Sequence, residues 1–208
     1  MKTITWFSAG VSSAVATKMH ISAIDQIIYI HIEDQHPDTM RFVKDCERWF
    51  EKPIDILQSP YKNVENACLR PSESGAYING PKGAGCTYYL KRQTRLEWEK
   101  SQTEPLRYIW GMDANEQERL DRLFNTMPEQ DHVGPLIDHN ITKEHAHQIL
   151  KGSGIKRPAM YDLGYHNNNC IGCVKGGMGY WNHIRVDFPE VFKARAIMER
   201  KIGATCIK

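Results

Sequence analysis

Long apolar runs are missing from this chain: nowhere do roughly 20 hydrophobic residues follow one another, so the sequence predicts no membrane-spanning helix. Met1-Lys2-Thr3 leads directly into a short apolar stretch, without the basic region, long apolar core and small-residue cleavage site of a secretory leader. The expected compartment is therefore the cytoplasm. An excess of charge of one sign is also lacking, with 27 Lys plus Arg against 25 Asp plus Glu and a net charge of +2. Composition alone thus announces no nucleic-acid binder, and any polyanion contact has to be local. There is no internal repeat and no low-complexity tract. Cysteine is sparse, six residues in 208, and in a cytoplasmic chain closely spaced pairs read as metal ligands or redox groups more naturally than as a disulfide framework.

What is present is an alternation of strands and helices. Thr3 to Ser8 is a short apolar run ending in small residues, and Val11 to Ile21 carries Val11, Val15 and Met19 at helical spacing. A second strand is expected at Gln26 to Ile32, a helix at Asp38 to Phe50, a third strand at Ile54 to Leu57 and a fourth at Arg107 to Trp110. A charged helix should begin near Asn115. Further helices are expected at about Thr142 to Lys151 and Pro189 to Ile202, with a Gly- and Cys-rich turn before the last one. This order implies an α/β fold with a mainly parallel sheet flanked by helices. The length fits a single domain over residues 1–208, with 135–208 as its C-terminal substrate and cluster-binding segment. Ser59 to Gly85, rich in Pro, Gly, Asn and Ser, reads as a long functional loop.

The turn Ser8-Ala9-Gly10-Val11-Ser12-Ser13 joins the first strand to the first helix. Small residues there let backbone N–H groups approach a phosphate, and a helix N-terminus favours anions. It has neither the Gly-Lys-Ser/Thr ending of a Walker A loop nor the three-glycine dinucleotide fingerprint. Asp34, after the second strand, suits a ribose hydroxyl or a phosphate-bound metal, and suits a helix cap equally well. Gly111, after the fourth strand, permits close approach of a nucleotide. Cys170-Ile171-Gly172-Cys173 is a C-x-x-C in Gly-rich surroundings, where two thiolates can address one metal centre. Lys91, Arg92 and Arg95 bring positive charge after Cys86, or are simply solvated helix charges. Cys46 and Cys68 read as buried or incidental thiols.

In order along the chain, Ser8, Gly10 and Ser13, then Pro135-Leu136-Ile137, Tyr161-Asp162-Leu163-Gly164-Tyr165, Cys170-Ile171-Gly172-Cys173 and Phe188-Pro189-Glu190 resemble the phosphoadenosine phosphosulfate (PAPS) reductase-like group of PP-loop proteins, many of them encoded by bacteriophages. The resemblance spans nearly the whole chain. The first loop is similar to the Ser-Gly-Gly-x-Asp-Ser PP-loop, with Ala9 in place of a glycine and Ser12 where ATP-cleaving members carry aspartate. It implies a Rossmann-like PP-loop fold, with ATP or a related adenine nucleotide, with or without Mg, held by Ser8, Ala9, Gly10, Val11, Ser12, Ser13, Asp34 and Gly111. The segment from Gly111 to Arg119 resembles the group's Gly, Glu/Gln, Arg pattern, which makes Arg119 a candidate phosphate or sulfonate ligand. A salt-bridged helix face accounts for Arg119 equally well.

Assimilatory adenylyl-sulfate reductases place a Cys-Cys pair upstream of a C-x-x-C around a [4Fe–4S] cluster. Here Gly85-Cys86 stands at the pair, so the resemblance implies Cys86, Cys170 and Cys173 as cluster ligands, with Cys206 as a fourth ligand or, instead, all four around zinc. Three ligands leave one iron open, the arrangement of cluster-dependent sulfurtransferases. True reductases of the group end in Glu-Cys-Gly-Ile/Leu-His, whereas this chain has Ala204-Thr205-Cys206-Ile207-Lys208. The favoured expectation is an adenylating sulfurtransferase acting on a base of tRNA or DNA or on a small molecule, with sulfide or a thiol as donor. Lys91 and Arg119 assist, and Lys151, Lys156 and Arg157 are available to phosphates. Alternatives are an APS/PAPS reductase with Cys206 as nucleophile and a non-catalytic nucleotide sensor or scaffold. A homodimer and a host-cytoplasm location, for a phage-encoded protein, complete these expectations.

Overall fold

The computed structural model of the chain describes residues 1–70, 75–80 and 83–206. Its strands are β1 (Lys2–Phe7), β2 (Gln26–His31), β3 (Ile54–Gln58), β4 (Asn79–Gly80), β5 (Gly83–Ala84), β6 (Leu106–Ile109) and β7 (Asp131–Val133). The helices are α1 (Val11–Met19), α2 (Asp38–Phe50), α3 (Val64–Leu69), α4 (Gln93–Glu99), α5 (Gln117–Thr126), α6 (Pro135–Asp138), α7 (Lys143–Gly152), α8 (Ala159–Asp162), α9 (Met178–Asp187) and α10 (Pro189–Ile202). Among the described residues no helix is long and apolar enough to cross a membrane.

The chain divides into two compact, interleaved units: Met1–Ile30, Pro37–Leu57 and Gln102–Asn168 make the first, His31–His36, Gln58–Ser101 and Asn169–Lys208 the second. The 135–208 segment set apart on sequence is thus split at Asn168. The first unit is built on an all-parallel sheet in the order β3-β2-β1-β6-β7, an α/β fold flanked by helices. The central strands β1 and β2 are buried along most of their length, as strands covered on both faces must be. Phe7 holds the centre of the core, with its ring against Tyr29, Phe42 and Phe50. Around it Val11, Ala14, Val15, Ile27, Leu136 and Leu150 are fully or almost fully buried, each large side chain contributing roughly 1.5–3 kcal/mol.

In the second unit α3 and α9 pack on α10, around a core of Ile32, Val64, Ala67, Cys68, Ile78, Leu90, Val174 and Met198. The segment 59–85 is more structured than the sequence predicts. Asn63 caps α3 by accepting the Asn66 N–H, and β4 and β5 form a short antiparallel hairpin, while 71–74 and 81–82 lie outside the described residues. The Gly- and Cys-rich turn is likewise followed by a ten-residue helix, α9, held by buried Trp181 and Ile184. Thr87–Arg92 forms a π-helix that runs into α4, a geometry often found at functional sites.

Candidate functional site

The sheet order reverses direction between β1 and β6: β2 and β3 lie to one side of β1, β6 and β7 to the other. In open parallel sheets this is where the loops leaving adjacent strand ends diverge and leave a crevice for a ligand. Ser8–Ser13 leaves β1 there, and Trp110-Gly111 leaves β6. The two touch. A Cβ added to Gly111 would stand 2.3 Å from Ser13 Cα and 2.7 Å from Ser13 N, so only glycine allows this approach.

Three groups fix the shape of the first loop. Ser13 Oγ accepts the Ser8 N–H at 3.1 Å. The buried Asn168 amide donates to the Ala9 carbonyl at 2.8 Å and bonds to Thr39 Oγ1. Tyr161 Oη accepts the Val11 N–H at 3.3 Å, with its ring edge-on to His147. Ala9 sits at φ +55°, in the left-handed region that favours glycine. Ser8 is exposed, Gly10 and Ser12 are half-buried, and Gly10 gives α1 no side-chain cap, with no acidic residue in the first turn. The loop therefore combines accessible small residues with the positive end of a helix that its own N-cap residue does not cap, the chemistry of an anion cradle.

The other residues expected at the nucleotide fare differently. Arg119 is exposed on α5 and ion-paired with Glu116 at 2.7 Å, the salt-bridged helix face that was the second reading of this segment. Asp34 belongs to the second unit, where its carboxylate accepts the Val64 N–H at 2.6 Å and pairs with the buried Arg195. It is both a helix cap and the counter-ion of Arg195. Asp113, not singled out in the sequence, is buried and forms a capping box with Glu116 that shapes the turn after Gly111. Lys151, Lys156 and Arg157 line a 570 Å³ surface cleft together with His147. Arg157 also pairs with Asp162.

The second unit gathers five reduced cysteines: Cys68, Cys86, Cys170, Cys173 and Cys206. The C-x-x-C turn is fastened at both ends by one hydroxyl, since Tyr180 Oη donates to the Cys170 carbonyl and accepts the Cys173 N–H, both at 2.9 Å. The Ile171 N–H bonds to the Asp34 carbonyl at 2.8 Å, and Arg195 Nε donates to the Gly172 carbonyl at 3.2 Å. Gly172 has φ +70°, and a Cβ there would press on Val191 and Arg195. Gly176 is required for a different reason: a Cβ would meet the Tyr180 ring at 2.0 Å. The sequence marked these glycines only as the Gly-rich surroundings of the C-x-x-C, and Tyr180 and Arg195 carried no signal in it.

Cys86 opens the π-helix. Its sulfur accepts a hydrogen bond from the Cys68 thiol, which lowers its pKa below the ordinary thiol range, helped by Lys175, Lys91 and Arg195. The same bond, then burial, pushes Cys68 up. Burial raises Cys170 to about 12 and raises Cys173 as well. Cys206 is raised to about 12 by burial and by its hydrogen bond to the Glu199 carboxylate. Arg95, read with Lys91 and Arg92 as a candidate cation, is buried and paired with Glu99.

Among the described residues no group of three or more His, Cys, Asp or Glu side chains could hold a metal ion as placed. The donor chemistry of the group, soft, reduced and largely shielded sulfur, is of the kind that holds an iron–sulfur group, with Lys91, Lys175 and Arg195 favouring thiolate at Cys86 alone while burial favours the thiol at Cys170 and Cys173. Zinc accepts the same donors. Neither the known protein-family profiles nor the curated proteins include a match to this chain.

Proposed function

We propose that this protein is an adenine-nucleotide-dependent sulfurtransferase, similar to the PAPS reductase-like group of PP-loop proteins. The observation that carries the reading is the contact of Gly111 with Ser13 at the reversal point of a parallel sheet, beside the N-terminus of α1. That is how α/β folds cradle nucleotide phosphates. The cysteine-rich second unit supports sulfur chemistry as the use made of the nucleotide.

In the first half-reaction a carbonyl oxygen of the acceptor attacks the α-phosphorus of ATP and pyrophosphate leaves. Backbone N–H groups around Gly10 and Ser12 hold the phosphates while Gly111 keeps the floor of the loop open. Ser12 brings a neutral hydroxyl where ATP-cleaving members of the group carry aspartate, so any Mg accompanying the nucleotide would gain no carboxylate ligand from this position. In the second half-reaction hydrosulfide attacks the activated carbon, AMP leaves with the original oxygen and a C=S bond remains. Cys86, Cys170 and Cys173 would hold a [4Fe–4S] cluster, which supplies an iron with room for a sulfur ligand. Tyr180, Arg195 and Asp34 keep the C-x-x-C turn in shape, and Lys91 and Lys175 offset thiolate charge. Cys206, whose thiol lies against the Glu199 carboxylate, remains available as a fourth ligand or, in the reductase reading, as the nucleophile. The acceptor is a nucleic-acid base or a small carbonyl compound, with Lys151 and Lys156 available to a phosphate backbone.

The test is anaerobic purification with iron and sulfide analysis, followed by assay with nucleotides. Acceptor-dependent release of pyrophosphate from ATP by iron- and sulfide-containing protein is the expected result. Sulfite release from APS or PAPS would replace it with the reductase reading. A colourless protein holding zinc or no metal, binding nucleotide without turnover, would leave a sensor or scaffold.

A further inference from the structure

Where α7 ends, the first unit carries two adjoining surface clefts. The 570 Å³ cleft is lined by His147, Lys151, Lys156 and Arg157, and a second, of 450 Å³, by Arg41, Arg48, Trp49 and again Lys156. The segment Gly154-Ile155-Lys156 lines both and is the wall they share. It is fastened to α2: Arg41 donates to the Lys156 carbonyl at 2.9 Å and to the Arg157 carbonyl at 3.0 Å, and the Asp38 carboxylate accepts the Ala159 N–H at 2.9 Å. The arginines are matched by carboxylates, Arg41 by Asp38 and Asp45, Arg48 by Asp45 and Arg157 by Asp162. Lys151 and Lys156 are exposed, and neither side chain has an ion pair or hydrogen bond among the described residues. Lys151, in the last turn of α7, also complements the helix dipole, whereas Lys156 lies beyond the helix and has no such use.

Each cleft also has a half-buried ring in its lining, His147 in the first and Trp49 in the second. Two rings in neighbouring clefts, with unmatched cations beside and between them, make the layout that takes successive bases of an unpaired strand and the phosphates that join them. The bases of a duplex are stacked on one another and do not reach into such clefts. We propose that the two clefts bind a single-stranded nucleic acid, its phosphates on Lys151 and Lys156 and its bases against His147 and Trp49. The binding stands apart from sulfur transfer; that the strand is also the sulfur acceptor rests on the reading above. Tyr161 ties the two together, since its ring meets His147 at 4.7 Å and its hydroxyl accepts the Val11 N–H of the phosphate loop.

The test titrates the full-length protein, without ATP, iron or sulfide, into fluorescein-labelled oligo(U), oligo(dT) and a duplex of equal length, followed by fluorescence anisotropy. Wild-type protein is expected to bind the single strands more tightly than the duplex. The double variant Lys151→Ala, Lys156→Ala should bind at least about tenfold more weakly at about 0.1 M salt. Its slope of log affinity against log salt should be shallower by about 1.4, since each phosphate contact to a single strand contributes about 0.7. Trp49→Leu should weaken binding roughly tenfold with the salt slope unchanged, as loss of stacking does. Both lysines are exposed, so the double variant should keep the wild-type melting temperature, and it decides alone if leucine at 49 prevents folding. A preference for oligo(U) or oligo(dT) supports the site either way and names the sugar it takes. No binding to either strand, a duplex bound as tightly, or strand binding indifferent to the lysine variant would each overturn the proposal. Binding to phosphatidylserine vesicles in place of the oligonucleotides would overturn it in favour of a lipid surface. Strand binding without ATP turnover would leave this site standing while the sulfurtransferase reading fell. Pyrophosphate release stimulated only by small carbonyl compounds, with no strand bound, would do the reverse.

Discussion

Gly111→Ala tests the nucleotide loop at its tightest point. The added methyl would lie 2.3 Å from Ser13 Cα and 2.7 Å from both Ser13 Cβ and Ser13 N, where carbon atoms normally rest about 3.5–4.0 Å apart. The obstruction is largely backbone, so no rotamer change relieves it. Either the end of β6 moves away from α1 by roughly an ångström or more, or the first turn of α1 tilts. Overpacking of this kind costs about 1–3 kcal/mol, and in a chain of this length each kcal/mol lowers the melting temperature by about 2–4 °C. The same displacement pulls Ser13 away from the Ser8 N–H it accepts at 3.1 Å, so nucleotide affinity should fall more steeply than stability. Gly152→Ala is the control. Nothing lies within 4 Å of its new methyl at the end of α7, and helix propensity predicts no loss and up to about 1 kcal/mol of gain. Thermal unfolding and calorimetric titration with ATP or a non-hydrolysable analogue would be run on all three proteins. A Gly111→Ala protein with wild-type melting temperature and unchanged nucleotide affinity would refute both the steric reasoning and the placement of the nucleotide.

Asn168→Ala strands the Ala9 carbonyl and the Thr39 hydroxyl in a buried site, and should cost about 1–3 kcal/mol in urea unfolding while loosening nucleotide binding. An unchanged unfolding midpoint would count against it. Tyr180→Phe removes the hydroxyl that joins Cys170 to Cys173. Iron loading after anaerobic reconstitution should drop while far-UV circular dichroism stays native, and full loading would show that the turn holds itself. His147 is shifted down by burial, with Arg157 and Lys143 adding to the shift, so the folded protein binds its proton less readily than the unfolded chain. Its contribution to stability is complete above the unfolded value near pH 6.5 and is lost as pH falls through and below it. His147→Phe, which keeps a ring against Tyr161, should flatten that part of the stability profile, and a profile identical to wild type would sink the assignment.

Local signals carried much of the fold. The helix Asp38–Phe50 matches its expected bounds because its signals are local: Pro37 at its start, Asp38 in the first turn, where it holds Arg41, and Phe42, Val43, Cys46 and Phe50 at helical spacing. Pro189–Ile202 does so as well, between an N-terminal proline and Gly203 at φ +72°. Both are long enough for periodicity to show. The helix α3 is only six residues long and lies among Pro, Gly and Asn, so its burial of Val64, Ala67 and Cys68 leaves no readable period. Glycines at 176, 177 and 179 similarly concealed α9, whose stability comes from packing of Trp181 and Ile184 and not from propensity.

The sequence by itself determined the alternation that makes a parallel sheet, the small-residue loop from Ser8 to Ser13 and the C-x-x-C pair, because strand period, turn chemistry and close cysteine spacing are properties of neighbours along the chain. Only the tertiary structure decided that Gly111 lies against Ser13, that Asp34 serves Arg195 and α3, that Arg119 answers to Glu116, and that the thiol beside Cys86 belongs to Cys68. Those pairings depend on how strands are ordered and helices docked, and a burial pattern that any apolar partner could satisfy does not encode which partner arrives.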